Sequence, residues 1–312
     1  MARDWEAQLR LWAQPPGATE REKMENAESQ IREAIRRSTK LGAHTIEVFA
    51  QGSYRNRTNV PRESDVDVCV VCKDTFGLEW RTNQGTPIGD PALIAAMRRD
   101  LDISDATYAY SEYKDDVEQA LVERFGRAAV KRCDKAFDVH ETSTRVDSDV
   151  LAAFAHRRYS RASDGTISLQ EGTKFYPDSG GEVINFPQQQ YDNGVAKNAT
   201  TGERYKAMVR ALKNLRNEMD DNRIEAAKPI PSFLIECLVY NVPDGKFGSS
   251  YIADMKSVIA VAWNATKTDE SCNEWLEVSR LKWLFRPSQP WTRQEANDFL
   301  HAAWNYDGLG SA

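Results

Sequence analysis

The sequence predicts an α+β protein, a mixed sheet with helices in the first 200 residues joined to a helical lobe after them. Three observations carry this. Short apolar runs bounded by Gly, Pro, Asn and Asp all fall before residue 187. Beyond residue 203 the apolar residues instead recur every three or four positions. Finally, two carboxylates, Asp65 and Asp67, sit at the head of one of the strand-like runs.

The elements follow in order. Thr19 and Glu22 form a capping-box pattern after Pro15, Pro16 and Gly17, which predicts a helix from residue 19 to about 41. Met24, Ala27, Ile31 and Ile35 give it one apolar stripe. Residues 45–51 read as a strand. Gly52-Ser53 is a turn, followed by a short helical turn through Arg57 and the loop Asn59-Val60-Pro61. A second strand starts at Asp65 and runs through Val66, Val68, Cys69, Val70, Val71 and Cys72. Residues 75–105 show no clear period. A helix is expected at 111–125, strands at 129–133 and 136–142, and another strand at 149–154. Residues 160–201 are rich in Gly, Pro, Asn and Asp and read as a hairpin and crossing linker, with extended pieces at 174–176 and 183–186. Helices are expected at 203–219, 231–240, 251–265, 273–283 and 292–304. The expected division is a lobe of residues 1–200 and a helical lobe of 201–312, with the ligand site in the cleft between.

Composition narrows the chemistry. Hydrophobic residues make up 41% of the 312 and charged residues 28%, ordinary for a soluble globular protein. No apolar run is long enough to span a bilayer, and the opening Met-Ala-Arg-Asp-Trp lacks the apolar core of a signal peptide, so a cytoplasmic protein with no membrane partner is expected. A net charge of −6 and a pI near 5.5 disfavour a coat for long nucleic acids and favour a small nucleotide. The five cysteines are scattered, and Cys69 and Cys72 read as core residues without a second pair to complete a zinc site. None of the four histidines falls in a catalytic pattern.

The Gln51-Gly52-Ser53 turn and the Asp65-Val66-Asp67 pair are the informative motifs. Alternate residues of a strand share a face, so Asp65 and Asp67 project together. Asp-x-Asp and Gly-Ser are each common on surfaces. Inside an apolar run, however, unpaired carboxylates are costly, whereas a hard cation such as Mg²⁺ offsets their repulsion. A preceding turn whose backbone N–H groups hold a phosphate completes a pattern that points to nucleotidyl transfer.

With a third Asp on a later strand, these motifs resemble the polymerase-β-like nucleotidyltransferases, which implies a nucleotidyltransferase palm joined to a helical lobe. The sequence is most similar to the bacterial cGAS/DncV-like nucleotidyltransferases of clade E, through Gln51-Gly52-Ser53-Tyr54, Asp65-Val66-Asp67-Val68, Val183-Ile184-Asn185-Phe186-Pro187, Tyr191-Asp192-Asn193-Gly194 with Lys197-Asn198, Pro231-Ser232-Phe233 with Glu236-Cys237-Leu238, and Tyr240-Asn241-Val242-Pro243. The resemblance implies two Mg²⁺ ions, with Mn²⁺ able to substitute, held by Asp65, Asp67 and Asp149. Asp149 is preferred to Asp147 because the family places this residue directly before an apolar run, here Val150-Leu151. The Gln51-Gly52-Ser53 turn would bind nucleotide, with Gly52 and Ser53 on the β- and γ-phosphates. Lys213 and Ser232 would contact the donor triphosphate, and Phe233 would stack on the donor base. Outside the family frame these three read as a solvated lysine, a helix-capping serine and a core aromatic.

Asn185 is the specificity clue. An Asn at this place in clade E accompanies pyrimidine use, although alone it reads as a turn residue before Phe-Pro. The implied activity joins UTP with ATP, or UTP with UTP, into cyclic UMP-AMP or cyclic di-UMP, read by a separate effector in bacterial antiphage (CBASS) signalling. The zinc module of the animal DNA sensor is absent from the pattern. Two alternatives stay open: a nucleotidyltransferase that modifies an RNA end or a protein, and a catalytically silent nucleotide-binding regulator.

Overall fold

Strands form where β-branched and sulfur side chains cover both sides of the backbone. The computed structural model describes residues 3–61, 65–103 and 108–311. Helices α1 (Trp5–Trp12) and α2 (Ala18–Arg37) precede strand β1 (Ile46–Ala50), and the short helix α3 (Gly52–Asn56) follows it. Strand β2 (Val66–Thr82), helices α4 (Pro91–Asp100) and α5 (Tyr110–Phe125), and strands β3 (Val130–Arg132), β4 (Phe137–Val139), β5 (Ser148–Arg161), β6 (Ile167–Phe175) and β7 (Val183–Asn185) come next. The remaining helices are α6 (Pro187–Thr200), α7 (Arg204–Asp221), α8 (Ser232–Tyr240), α9 (Tyr251–Ala265), α10 (Asp269–Cys272) and α11 (Arg293–Asn305).

The chain divides into two units. The sheet unit comprises Arg21–Gly52 and Asp65–Gln188. Its strand order is β1-β2-β5-β4-β3, with β6 also pairing β5 and β7 pairing β6. β2 and β5 run parallel, and every other pair is antiparallel. β5 is long enough to use two partners on one side, β4 along its first residues and β6 from Phe154 onward. Cys69, Val71, Leu151, Ala153, Ala155 and Phe175 form an apolar cluster on one face. Val66, Val68, Val70 and Cys72 are fully buried at the alternate positions. Cys69 and Cys72 are therefore buried free thiols, as expected of core residues, and burial pushes the Cys69 thiol well above its usual range.

The helical unit comprises Met1–Glu20, Ser53–Ser64 and Gln189–Ala312. α7 runs through its core, with Tyr205, Met208, Val209, Leu212 and Leu215 buried among residues of α8, α9 and α11. Trp5, Leu9 and Ala13 at the N-terminus belong to the same core. The last helix, α11, opens on a capping box that the sequence reading did not single out, formed by Thr292 and Glu295.

Three local expectations are corrected. α2 starts at Ala18, so Thr19 lies inside the first turn rather than at the cap. Residues 187–200 form helix α6, not a linker; Pro187 sits at the helix start, where its missing N–H costs nothing, and outweighs the weak helix formers Asn193 and Gly194. Residues 273–283 do not form a helix. They turn back on themselves, with Leu276 bridged to Trp283 and Glu277 N–H donating to the Lys282 carbonyl at 2.9 Å. Arg280 takes the left-handed conformation at the bend (φ 60°). Trp275, Leu276 and Val278 make too short an apolar run to decide between a helical and an extended period.

Candidate functional site

The carboxylates are brought together by strand register. Asp67 on β2 lies directly opposite Asp149 on the parallel neighbour β5. Asp149 is in turn opposite Asp138 on β4. Asp65 stands one residue before β2 and is exposed. The row continues the face of Cys69 and Leu151, two residues further along each strand. Partial removal from water, then the negative charges of Asp65, Asp138 and Asp147, push the Asp149 carboxyl above its usual range although its side chain still reaches solvent.

Asp147 is occupied differently. Its Oδ1 accepts the Glu141 N–H at 2.6 Å, and its carbonyl accepts the Val66 N–H at 3.1 Å. Asp138, His140 and Asp147 form one cluster of metal-type ligands among the described residues, with ligand atoms within 4.8 Å of one another. Asp138 and His140 were not visible as site neighbours in the sequence, because the antiparallel β4–β5 pairing that delivers them is not a local pattern. Crowded carboxylates whose mutual repulsion raises a pKa suit a hard divalent cation, which reverses that repulsion and takes oxygen ligands.

The turn after β1 is shaped around Asp67. The Gln51 N–H donates to the Asp67 carbonyl at 2.8 Å, extending the β1–β2 ladder. Gly52 then adopts φ +62°, and a β-carbon there would lie 2.0 Å from Asp67 Oδ2. Only glycine permits both the left-handed backbone and this approach. Ser53 follows as the second residue of α3, half-buried.

Asn185 ends β7, paired with Thr173. The next residue, Phe186, is buried, edge-on to His156 at 5.9 Å and beneath the Arg158 guanidinium at 4.4 Å. Phe186 thus anchors the strand end, while the half-buried Asn185 amide engages no hydrogen-bond partner among the described residues. A side-chain carboxamide of this kind offers one donor edge and one acceptor edge to a ligand.

In the helical unit, Lys213 on α7 is only 1% exposed, so it is not a solvated surface lysine. Ser232 is the first residue of α8, whose N-cap position is held by Pro231. Its Oγ accepts from Arg216 Nη2 at 2.9 Å, while Arg216 Nη1 donates to the Ile230 carbonyl. Arg216 stands one helical turn from Lys213 and so adds a second cation to that face of α7. A lone Arg on an amphipathic helix gives no such signal in sequence. Phe233 is half-buried, its ring edge-on to Trp291 at 6.0 Å.

Comparison with known proteins identifies the family. Residues 192–308 match the cGAS/DncV-like nucleotidyltransferase C-terminal helical domain. A cyclic dipyrimidine nucleotide synthase CdnE from Legionella pneumophila is 44% identical over 308 residues, covering 98% of this chain and 99% of that one. A cyclic dipurine nucleotide synthase from Elizabethkingia meningoseptica is 38% identical, covering 97% and 98% respectively. The solved structure of the Rhodothermus marinus CdnE c-UMP-AMP synthase with Apcpp and Upnpp superposes with a TM-score of 0.79 at 30% identity, over 98% of this chain and 96% of that one. Full-length identity at this level, on a mixed sheet that sets Asp67 beside Asp149, means that the chain belongs to the cGAS/DncV-like nucleotidyltransferases, in their CdnE group.

Proposed function

We propose that the protein is a cyclic dinucleotide synthase that joins two nucleoside triphosphates, UTP with ATP or UTP with UTP, into a ring containing uridine. The observation that carries this reading is the register of Asp67 against Asp149, with Gly52 packed on the Asp67 carboxylate. Asp65, Asp67 and Asp149 would hold two Mg²⁺ ions. Bound there, such cations would lower the pKa of an attacking ribose hydroxyl and would offset the charge of the triphosphate and of the leaving pyrophosphate. Gln51, Gly52 and Ser53 take the triphosphate tail, with Lys213 and Ser232 adding charge and a hydroxyl, and Phe233 the base stack. The first transfer leaves a linear 5′-triphosphate dinucleotide, and the second closes the ring after the intermediate turns round. The product is a second messenger for a separate effector in antiphage signalling. No helix among the described residues is long and apolar enough to cross a membrane, and no membrane partner is invoked.

Base choice rests on Asn185. Its amide matches the uracil edge, one acceptor and one donor. The names of the relatives include both a dipyrimidine and a dipurine synthase, so family membership alone leaves the base open.

The test is a reaction with all four NTPs and Mg²⁺, phosphatase treatment and mass analysis. A phosphatase-resistant dinucleotide containing uridine is expected. A purely purine ring would discard the role of Asn185 and keep cyclisation. Label passed to an added RNA or protein, without dinucleotide, would overturn the proposal. Asp67→Asn should lower both linear and cyclic products about a thousandfold or more, since one site serves both steps.

A further inference from the structure

A buried carboxylate in the helical unit grips the chain just past Ser53. Glu236 on α8 is 3% exposed. Its Oε1 accepts from Asn56 Nδ2 and from Gln190 Nε2, each at 3.2 Å, and its Oε2 accepts from the Thr58 hydroxyl at 2.8 Å. Asn56 and Thr58 are buried as well. The neighbours of Glu236 along α8, Leu234, Ile235, Cys237, Leu238 and Val239, are all buried and apolar. Burying an ion in such a helix costs several kcal/mol unless its hydrogen bonds are made, and an apolar side chain would pack there without that cost. Something other than packing therefore accounts for a carboxylate at this position.

The segment it grips is the exit from the Gly-Ser turn. Thr58 N–H donates back to the Ser53 carbonyl at 2.9 Å, closing a loop over residues 53–58. Between the two residues held by Glu236 lies Arg57, at φ 57°. A left-handed Arg costs roughly 1 kcal/mol and persists only when surrounding contacts hold it. The hold comes from Arg210 on α7, buried, whose Nη1 donates to the Arg57 carbonyl at 2.6 Å and whose Nε donates to the Ala13 carbonyl at 2.6 Å. Asn56, Arg57 and Thr58 are thus pinned in succession, and Thr58 passes the constraint to Ser53.

We infer that Glu236 is a positioning residue for triphosphate binding, its carboxylate setting the Ser53–Thr58 turn so that Ser53 meets the phosphate tail without further ordering. This rests on the proposed phosphate role of Gly52 and Ser53. Pre-ordering a binding loop lowers the conformational cost of each binding event, so its loss appears in KM more than in kcat.

The experiment compares Glu236→Gln, Ser53→Ala and the double variant by steady-state kinetics with NTPs and by thermal melting. Glutamine keeps the length and one acceptor but turns an amide N–H₂ toward a donor. The expected result is a KM raised about tenfold in Glu236→Gln, with kcat within about threefold of the parent. The double variant should raise KM no further than Ser53→Ala does alone, because both changes act through one turn. A Glu236→Gln protein with a lowered melting temperature and unchanged KM would overturn the inference. So would KM effects that multiply in the double variant. Ser53→Ala with unchanged KM would instead overturn the phosphate role on which the inference stands. Should Glu236→Gln not fold, Thr58→Val, which removes one donor and keeps the shape, decides the matter: a KM raised about threefold supports the inference and an unchanged KM sinks it.

Discussion

At the scale of single residues, Gly52 shows how tightly the turn and the metal-type carboxylate are coupled. Alanine there meets two penalties, a left-handed backbone worth about 1–2 kcal/mol and a β-carbon 2.0 Å from Asp67 Oδ2. The backbone penalty is small beside the stability of a domain, so the variant should fold and show a near-native circular dichroism spectrum. Asp67 must move, however, and a misplacement of about 1 Å in such a site costs on the order of a hundredfold in rate. Gly52→Ala is therefore expected to be folded and about a hundredfold slower in pyrophosphate release; activity within about threefold of the parent would show that Asp67 tolerates displacement. Gly52, Ser53, Asp65 and Asp67 were legible from the sequence because they lie within one turn and one strand start. Asp149 was singled out over Asp147 only through the family resemblance, and Asp138 was not legible, since register across strands is a property of long-range pairing.

At the scale of elements, β6 and β7 show what positions Asn185, the side chain proposed to read the base. A β-carbon on Gly172 would lie 2.4 Å from the Asn185 carbonyl and 2.8 Å from Phe186 Cδ1, so β7 closes on β6 only because residue 172 has no side chain. Gly172→Ala is expected to displace β7 and lower the share of uridine in the product about tenfold while total pyrophosphate release falls less; an unchanged product ratio would show that Asn185 does not read the base. Further along the same sheet, Glu79 on β2 is held at a pKa of about 2: burial alone would raise it, and hydrogen bonds from His156 at 3.2 Å and Arg158 at 2.6 Å, with Arg81 adding a third, more than reverse that. The carboxyl ionises more readily folded than unfolded, so its contribution is complete above the ordinary value of 4.5 and is lost as pH falls toward about 2. Glu79→Gln should thus cost roughly 2–3 kcal/mol at neutral pH, and the loss should shrink on acidification through that window in urea titrations. A penalty independent of pH would assign Glu79 a packing role only. Strand and helix positions with clear periods were legible throughout this region. Helix α6 was not, because Asp192-Asn193-Gly194 at its centre reads as a turn and its packing comes from partners further along the chain, such as Tyr205 and Val278.

At the scale of the whole molecule, the chain crosses between its two units four times, after Glu20, Gly52, Ser64 and Gln188. The helical unit is therefore not a contiguous segment, and its core takes Trp5, Leu9 and Ala13 from the opposite end of the sequence. Helix α1 escaped the sequence reading because its eight residues are too short to display a period, and tertiary burial rather than propensity supplies its stability. Trp5 is 2% exposed and its indole N–H donates to the Asp307 carbonyl at 3.0 Å, tying the first helix to the last turn of the chain. Its ring is edge-on to Tyr306 at 6.4 Å, and Arg3 pairs with Glu218 on α7. Removing a buried Trp typically costs 3–5 kcal/mol, a large part of a domain's stability of about 5–15 kcal/mol. Trp5→Ala is expected to lower the melting temperature by roughly 5–15 °C, and deletion of residues 1–13 should leave the helical unit without part of its core and largely unfolded by circular dichroism. A fragment spanning residues 189–312 alone should fail to fold for the same reason and recover helicity when a peptide of residues 1–20 is added. A cooperative melt from that fragment without the peptide would mean that the N-terminal helix only decorates a core complete without it.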